Sequence, residues 1–177
     1  VSNLTSLSHL FLRDSKYITD FGLSHLSDLK LLTHLDLRST AVSGTGFSYL
    51  SNLKSLSYLD LSWSDATDDG LSYLSEFTAL SHLDLRNTHI KLTDVGLSHI
   101  SNLTSLSYLD LESSEITDVA LSYLSKFTVL SHLNLCGTEV TDFGLSYLSN
   151  LTSLAHLHLC YTKVTNDGLS HLSNLSS

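Results

Sequence analysis

Thr141 to Leu159 reads T-D-F-G-L-S-Y-L-S-N-L-T-S-L-A-H-L-H-L, and nearly every other segment of the chain is a copy of it. The phrase L-x-x-L-x-L opens at Leu56, Leu80, Leu106, Leu130 and Leu154, in steps of 24, 26, 24 and 24 residues. A fixed period of this size marks a solenoid, in which each unit buries its apolar face only by stacking on its neighbours. Counted from the apolar residue after each S-N or its equivalent, seven units begin at Leu4, Leu29, Leu53, Phe77, Leu103, Phe127 and Leu151. Residues 1–177 therefore read as a single repeat domain of about seven units, each of 24–26 residues.

Inside a unit, Leu133 and Leu135 are two apart and point to one side of an extended strand, while the residues between them face the other way. Val140-Thr141-Asp142-Phe143-Gly144-Leu145 then supplies a β-branched core residue and a Thr-Asp pair. That pair suits a helix start, where a hydroxyl caps free N–H groups and a carboxylate meets the positive end of the dipole. Leu145, Leu148 and Leu151 form one apolar stripe on a helix of about two turns, too short to hold without stacking. Each strand returns through a helix, so the strands run parallel in one sheet and the fold class is α/β. Strands sit roughly 4.8 Å apart and packed helices roughly 8–10 Å, so a curved solenoid is expected, with a concave sheet and convex helices. Neither end carries a polar or cysteine-rich cap, and Val1-Ser2-Asn3 matches Leu148-Ser149-Asn150, so the chain reads as a fragment that begins within a repeat.

These phrases, L-x-x-L-x-L and V/I-T-D-x-G-L-x-x-L, resemble the leucine-rich repeat family along essentially the whole chain, and are similar to its cysteine-containing and bacterial 24-residue subtypes. The resemblance implies a horseshoe-like solenoid that binds macromolecules through its concave face. For the cysteine-containing subtype it also implies recruitment of substrates to ubiquitin ligases. The chain departs from the family pattern where Asn or Cys is usual: it has Ser15, Thr40, Ser64, Thr88, Ser114, Thr138 and Thr162. A hydroxyl both donates and accepts, so a Ser/Thr ladder running from turn to turn is expected there.

The strand residues that face away from the core form three rows, where recognition is expected. The first is His9, His34, Tyr58, His82, Tyr108, His132 and His156, a ribbon of amphipathic rings. The second is Phe11, Asp36, Asp60, Asp84, Asp110, Asn134 and His158; its four carboxylates repel one another unless solvated or paired. The third is Arg13, Arg38, Ser62, Arg86, Glu112, Cys136 and Cys160. Trp63, the only tryptophan, follows the third row near Tyr58, Arg38 and Arg86, a combination typical of binding hot spots. The contact candidates are therefore Arg38, Tyr58, Trp63, Arg86, Asp36, Asp60, Asp84, Asp110, His34 and His82, with exposed but inert copied rows as the competing reading. Two insertions, around Lys16-Tyr17 and at Lys91-Leu92, lengthen the strand-to-helix loops beside this face.

Composition narrows the partner. The net charge is −9 with no run of Lys or Arg, which argues against a nucleic acid, and no apolar stretch approaches the roughly 18 residues of a membrane span. A protein ligand of unknown identity remains. Ser81-His82-Leu83-Asp84 contains the letters of a catalytic triad, but consecutive strand residues point to opposite faces and His34-Asp36 copies the pattern, so no enzyme is expected. No cofactor is expected either. His132, Cys136, His156, His158 and Cys160 are the metal-ligand candidates, weakened by parallel rather than convergent projection from the strands. A Cys136–Cys160 disulfide is not expected, because in-register strands hold Cβ atoms near 4.8 Å against the usual ~3.8 Å. Compartment stays open. Two cysteines lean towards a reducing cytoplasm, whereas sequons at Asn3, Asn102, Asn150 and Asn174 fit a secreted or cell-surface receptor or adhesin.

Overall fold

A computed structural model describes residues 6–175; the sequon at Asn3, the first unit's opening Leu4 and the Val1-Ser2-Asn3 match lie outside them. Seven three-residue strands, β1 (His9–Phe11), β2 (His34–Asp36), β3 (Tyr58–Asp60), β4 (His82–Asp84), β5 (Tyr108–Asp110), β6 (His132–Asn134) and β7 (His156–His158), pair in chain order into one open parallel sheet. Each residue faces its counterpart one unit along, as in His34 against Tyr58, Leu35 against Leu59 and Asp36 against Asp60. The leucines between the rows point inward: Leu35, Leu37, Leu59, Leu61, Leu83 and Leu85 are fully buried. Each such burial contributes about 1.5–3 kcal/mol, so a continuous leucine column holds the stack.

The other side carries α1 (Asp20–Leu23), α2 (Asp68–Ser72), α3 (Asp94–His99), α4 (Asp118–Leu124) and α5 (Asp142–Leu145), with 3₁₀ turns after α1, α2 and α5 and in place of an α-helix at Thr45–Leu50. α3 and α4 keep six and seven α-helical residues, whereas the other units mix or replace the α-turns with 3₁₀ turns. A leucine spacing of three, as at Leu145, Leu148 and Leu151, accommodates both geometries, since Leu121, Leu124 and Phe127 of the α4 unit share it. Thr67, Thr93, Thr117 and Thr141 cap the helix starts through their side-chain oxygens, as the Thr-Asp pairs predict. Among the described residues no helix is long and apolar enough to cross a membrane.

The expected turn-to-turn hydroxyl ladder is not formed where it was placed. Thr40, Ser64, Ser114, Thr138 and Thr162 each donate to the carbonyl three residues earlier in their own unit, and Thr88 donates to Ile90. A residue in the left-handed region precedes each of them (Asp14, Ser39, Trp63, Asn87, Ser113, Gly137 and Tyr161 across the seven units) and folds the chain back over its own strand end. The ladders between units use other side chains. Thr33, Ser57, Ser81, Ser107 and Ser131 donate to the carbonyl of their counterpart in the preceding unit at 3.0–3.2 Å. Asp68, Asp94, Asp118 and Asp142 accept both the N–H and the hydroxyl of Thr93, Thr117, Thr141 and Thr165 at 2.5–3.0 Å. The Thr-Asp pairs that open α2 to α5 therefore each cap their own helix and clamp the neighbouring unit.

Asp118→Ala removes both bonds to Thr141 and leaves a half-buried N–H and hydroxyl without acceptors, so a loss of about 1–3 kcal/mol is expected in a urea titration. Asp118→Asn keeps one acceptor oxygen and should cost clearly less. Equal losses for the two variants would show that the clamp does not work through that oxygen.

Candidate functional site

The first row is a continuous ring stack. His9 and His34 lie 4.1 Å apart between centroids, Tyr58 and His82 4.2 Å, His82 and Tyr108 3.9 Å, and His132 and His156 3.9 Å, with interplanar angles of 11–17°. His34–Tyr58 and Tyr108–His132 join these pairs at 5.4 and 5.7 Å. In-register parallel strands impose one strand spacing on every ring, close to the offset-stacking distance of aromatic faces. Ser8, Thr33 and Ser131 hydrogen-bond Nδ1 of His9, His34 and His132, which orients the rings. The hydroxyl before each of the first six rings thus orients some of the stack as well as linking the units, a pattern readable in the repeated S-H, T-H and S-Y pairs. Burial lowers the His34 and His132 pKa, and burial followed by the nearby Arg86 brings His82 down to about 4, so the central ring of the stack is neutral at pH 7.

The second row is not the solvated carboxylate strip expected of it. Asp36, Asp60, Asp84 and Asp110 are 0%, 4%, 3% and 2% exposed. Each turns its Oδ1 onto the backbone N–H two residues on, at Arg38, Ser62, Arg86 and Glu112, and Asn134 does the same to Cys136. These bonds satisfy donors that the chain exposes where it leaves the three-residue strand, and the ring row and third row cover the short side chains from both sides. The charge is partly met: Arg13 pairs with Asp36, and Arg86 reaches Asp84 at 3.3 Å and Asp110 at 3.7 Å. Asp84 keeps a large residual penalty. Burial first, then neighbouring Asp60, raises its pKa to about 7. Burial and Asp110 likewise push Tyr108 up to about 12.

The remaining candidates separate in space. Arg86 is held by the aspartates, whereas the Arg38 guanidinium has no ion pair among the described residues. Trp63 is 43% exposed, but its left-handed backbone, φ 58°, carries it off the sheet into a groove at the loop edge lined by Asp14, Ser39, Thr40, Asp65 and His89. Neither Arg38 nor Arg86 lines that groove, so the expected single patch divides into a sheet face and an edge. Asp14, Asn87 and Gly137 are of the types that favour a left-handed backbone, but Ser39, Ser113 and Tyr161 share the position, so the turn at Trp63 is not read from the repeat.

Cys136 and Cys160 form a disulfide, correcting the expectation that they would stay apart. They lie beyond the ends of β6 and β7, where the pleat no longer sets side-chain direction, and their Cα atoms approach to 4.6 Å. The bond also dismantles the metal candidate: His132, His156 and His158 are left without thiolates, and the rings of His132 and His156 are face to face.

Asp84→Asn tests the buried row. For a carboxyl whose folded pKa is raised to about 7, the stabilisation is complete below its ordinary value of 3.8 and is lost as pH rises through 7. The amide keeps an acceptor for the Arg86 N–H and cannot ionise, so the variant should gain on the order of 1–2 kcal/mol over the parent between pH 5 and 8 in denaturant titrations. A constant difference across that window would place the Asp84 pKa outside it. For the disulfide, whose cysteines are 24 residues apart, reduction or Cys160→Ser should cost about 3 kcal/mol, read as a lowered melting temperature. Unchanged melting on reduction would show that the bond does not close the last two units.

A family model described as a leucine-rich repeat matches residues 52–75 and 102–125. Among solved structures, an internalin (inlF) from Listeria monocytogenes superposes with a TM-score of 0.57 over 98% of this chain, at 23% sequence identity. The chain spans 60% of that internalin's length. No curated protein matches. Seven in-register strands, a helical return in each unit and the two matched repeats make this chain a leucine-rich repeat solenoid.

Proposed function

We propose that the chain is a recognition scaffold that holds a protein partner on the open face of its sheet. The observation that carries this reading is the ring stack from His9 to His156, which presents a preordered row of ring edges along seven strands. Rings already held by their neighbours lose little conformational freedom on binding, which favours a docking surface. Arg38, with no ion pair to break, and the exposed Phe11 extend this surface on the β1–β2 side. The four buried aspartates drop out as direct contacts and act by holding the strand ends. Catalysis is not part of the proposal. The Ser81 hydroxyl is committed to the Ser57 carbonyl and His82 is stacked between Tyr58 and Tyr108, so these two are not arranged as nucleophile and base.

The Cys136–Cys160 bond favours an oxidising compartment, and hence the secreted or cell-surface form of this function over a cytoplasmic ligase adaptor. The exposed sequon residues Asn102 and Asn150 point the same way. Proteins captured by the immobilised chain should lose affinity by about 2 kcal/mol or more on Tyr58→Ala or Arg38→Ala and be indifferent to Phe143→Ala on the helical side. Loss on Phe143→Ala with full binding by the other two variants would move the site to the helices.

A further inference from the structure

The loop edge holds a second feature that the sheet face does not explain. The left-handed position after the third row is occupied by small or polar residues in five of the seven units and by an aromatic one in two, Trp63 in the third and Tyr161 in the seventh. A bulky side chain with positive φ is an outlier, and such outliers persist where the surroundings impose them or a function uses them. The indole fills no core position; it is 43% exposed and forms one side of a groove of about 480 Å³. The two period-breaking insertions flank this groove. Lys16, in the lengthened loop of the first unit, and His89, at the start of the lengthened loop of the fourth, line its two ends, while Ser39, Thr40 and Ala41 of the second unit and Trp63 and Asp65 of the third lie between. The groove thus runs across four units, with the Trp63 indole among its lining residues.

We infer that this groove binds an arginine side chain presented by a protein partner, with the guanidinium stacked on Trp63 and paired with Asp14 and Asp65. The Asp14 carboxylate is exposed and makes no hydrogen bond or ion pair among the described residues. Asp65 is 42% exposed and uses only Oδ1, which meets His89 Nδ1 at 2.8 Å. With His89 already paired to Asp65 Oδ1, the Asp14 carboxylate and Asp65 Oδ2 remain as acceptors for a cationic occupant. A planar guanidinium satisfies both features at once, because it lies flat on an indole and directs a fork of N–H donors at a carboxylate, whereas an apolar side chain leaves the carboxylates unused. The inference rests on the reading of the chain as a recognition module, but it concerns the edge and not the sheet face.

Trp63 is the only tryptophan, so its indole reports this groove alone. The experiment titrates the full chain with acetyl-Gly-Arg-Gly-amide, and with the Glu and Leu versions of that peptide, while following the Trp63 Nε1–H resonance and the Ser39 and Thr40 amides. The arginine peptide should move all three signals saturably at millimolar concentration, and the Glu and Leu peptides should not. The combined Asp14→Asn and Asp65→Asn variant should weaken binding about tenfold, consistent with a cation held both by an indole and by carboxylates. Trp63→Leu, followed through the two amides, should weaken it roughly fivefold. Asp14→Asn alone changes an exposed, unbonded side chain, so folding does not confuse its result. No saturable shift, an equal response to the Glu or Leu peptide, or full affinity in the double Asn variant would overturn the assignment. A captured partner lost on Tyr58→Ala but kept on Trp63→Leu would remove the groove from that complex while leaving sheet-face recognition standing; the reverse would do the opposite.

Discussion

Register between successive units is the constraint on which the rest of this structure depends. A unit of about 24 residues cannot bury its leucines alone, so each column, such as Leu35, Leu59 and Leu83, closes only when every strand starts at the same point as the one before. Once that holds, every other side chain is copied at one strand spacing as well. Ring meets ring, aspartate meets aspartate, and Asp68, Asp94, Asp118 and Asp142 each meet the threonine of the following unit. The clamps formed by those pairs are directional where the leucine contacts are not, and they set the register that the leucines reward.

The same copying creates a conflict that the fold manages rather than avoids. Four carboxylates in line are forced together at the centre of the sheet, and the protein uses their oxygens as acceptors for the N–H groups at the strand ends. Arg86 covers two of them incompletely, and burial followed by the neighbouring Asp60 raises the Asp84 pKa to about 7. Asn134, which makes the same turn bond without a charge and donates to Asp110, shows how the sixth unit escapes the conflict. The surface over this row is therefore less acidic towards a partner than the sequence implies, and the rings and Arg38 dominate what the sheet presents.

Departures from the repeat are where specific function concentrates, because a copied feature is shared by every unit whereas an irregular one distinguishes a place. Trp63, the lengthened loops of the first and fourth units, and the Cys136–Cys160 bond are such departures. The first two meet at one edge of the sheet. The third fastens the last two units together beside the free edge at β7.

The leucine period by itself determined the number of units, the parallel sheet, the inward leucines and the three outward rows, because one residue pattern repeated seven times admits one stacking. Thr-Asp likewise announced its helix caps, since capping is local. Other features were decided only in three dimensions. Whether Asp36, Asp60, Asp84 and Asp110 face water depends on what covers them, and the covering groups come from neighbouring units. The hydroxyls of Thr40 and its counterparts chose their own strand over the next because a left-handed residue turns the chain back, and only three units, with Asp14, Asn87 and Gly137, carry a residue type that favours that turn. Cys136 and Cys160 bonded because they lie past the strand ends, a matter of one or two residues that periodicity does not resolve. Trp63 left the sheet for the same reason: strand alternation predicts a direction only while the strand continues, and here it lasts for three residues.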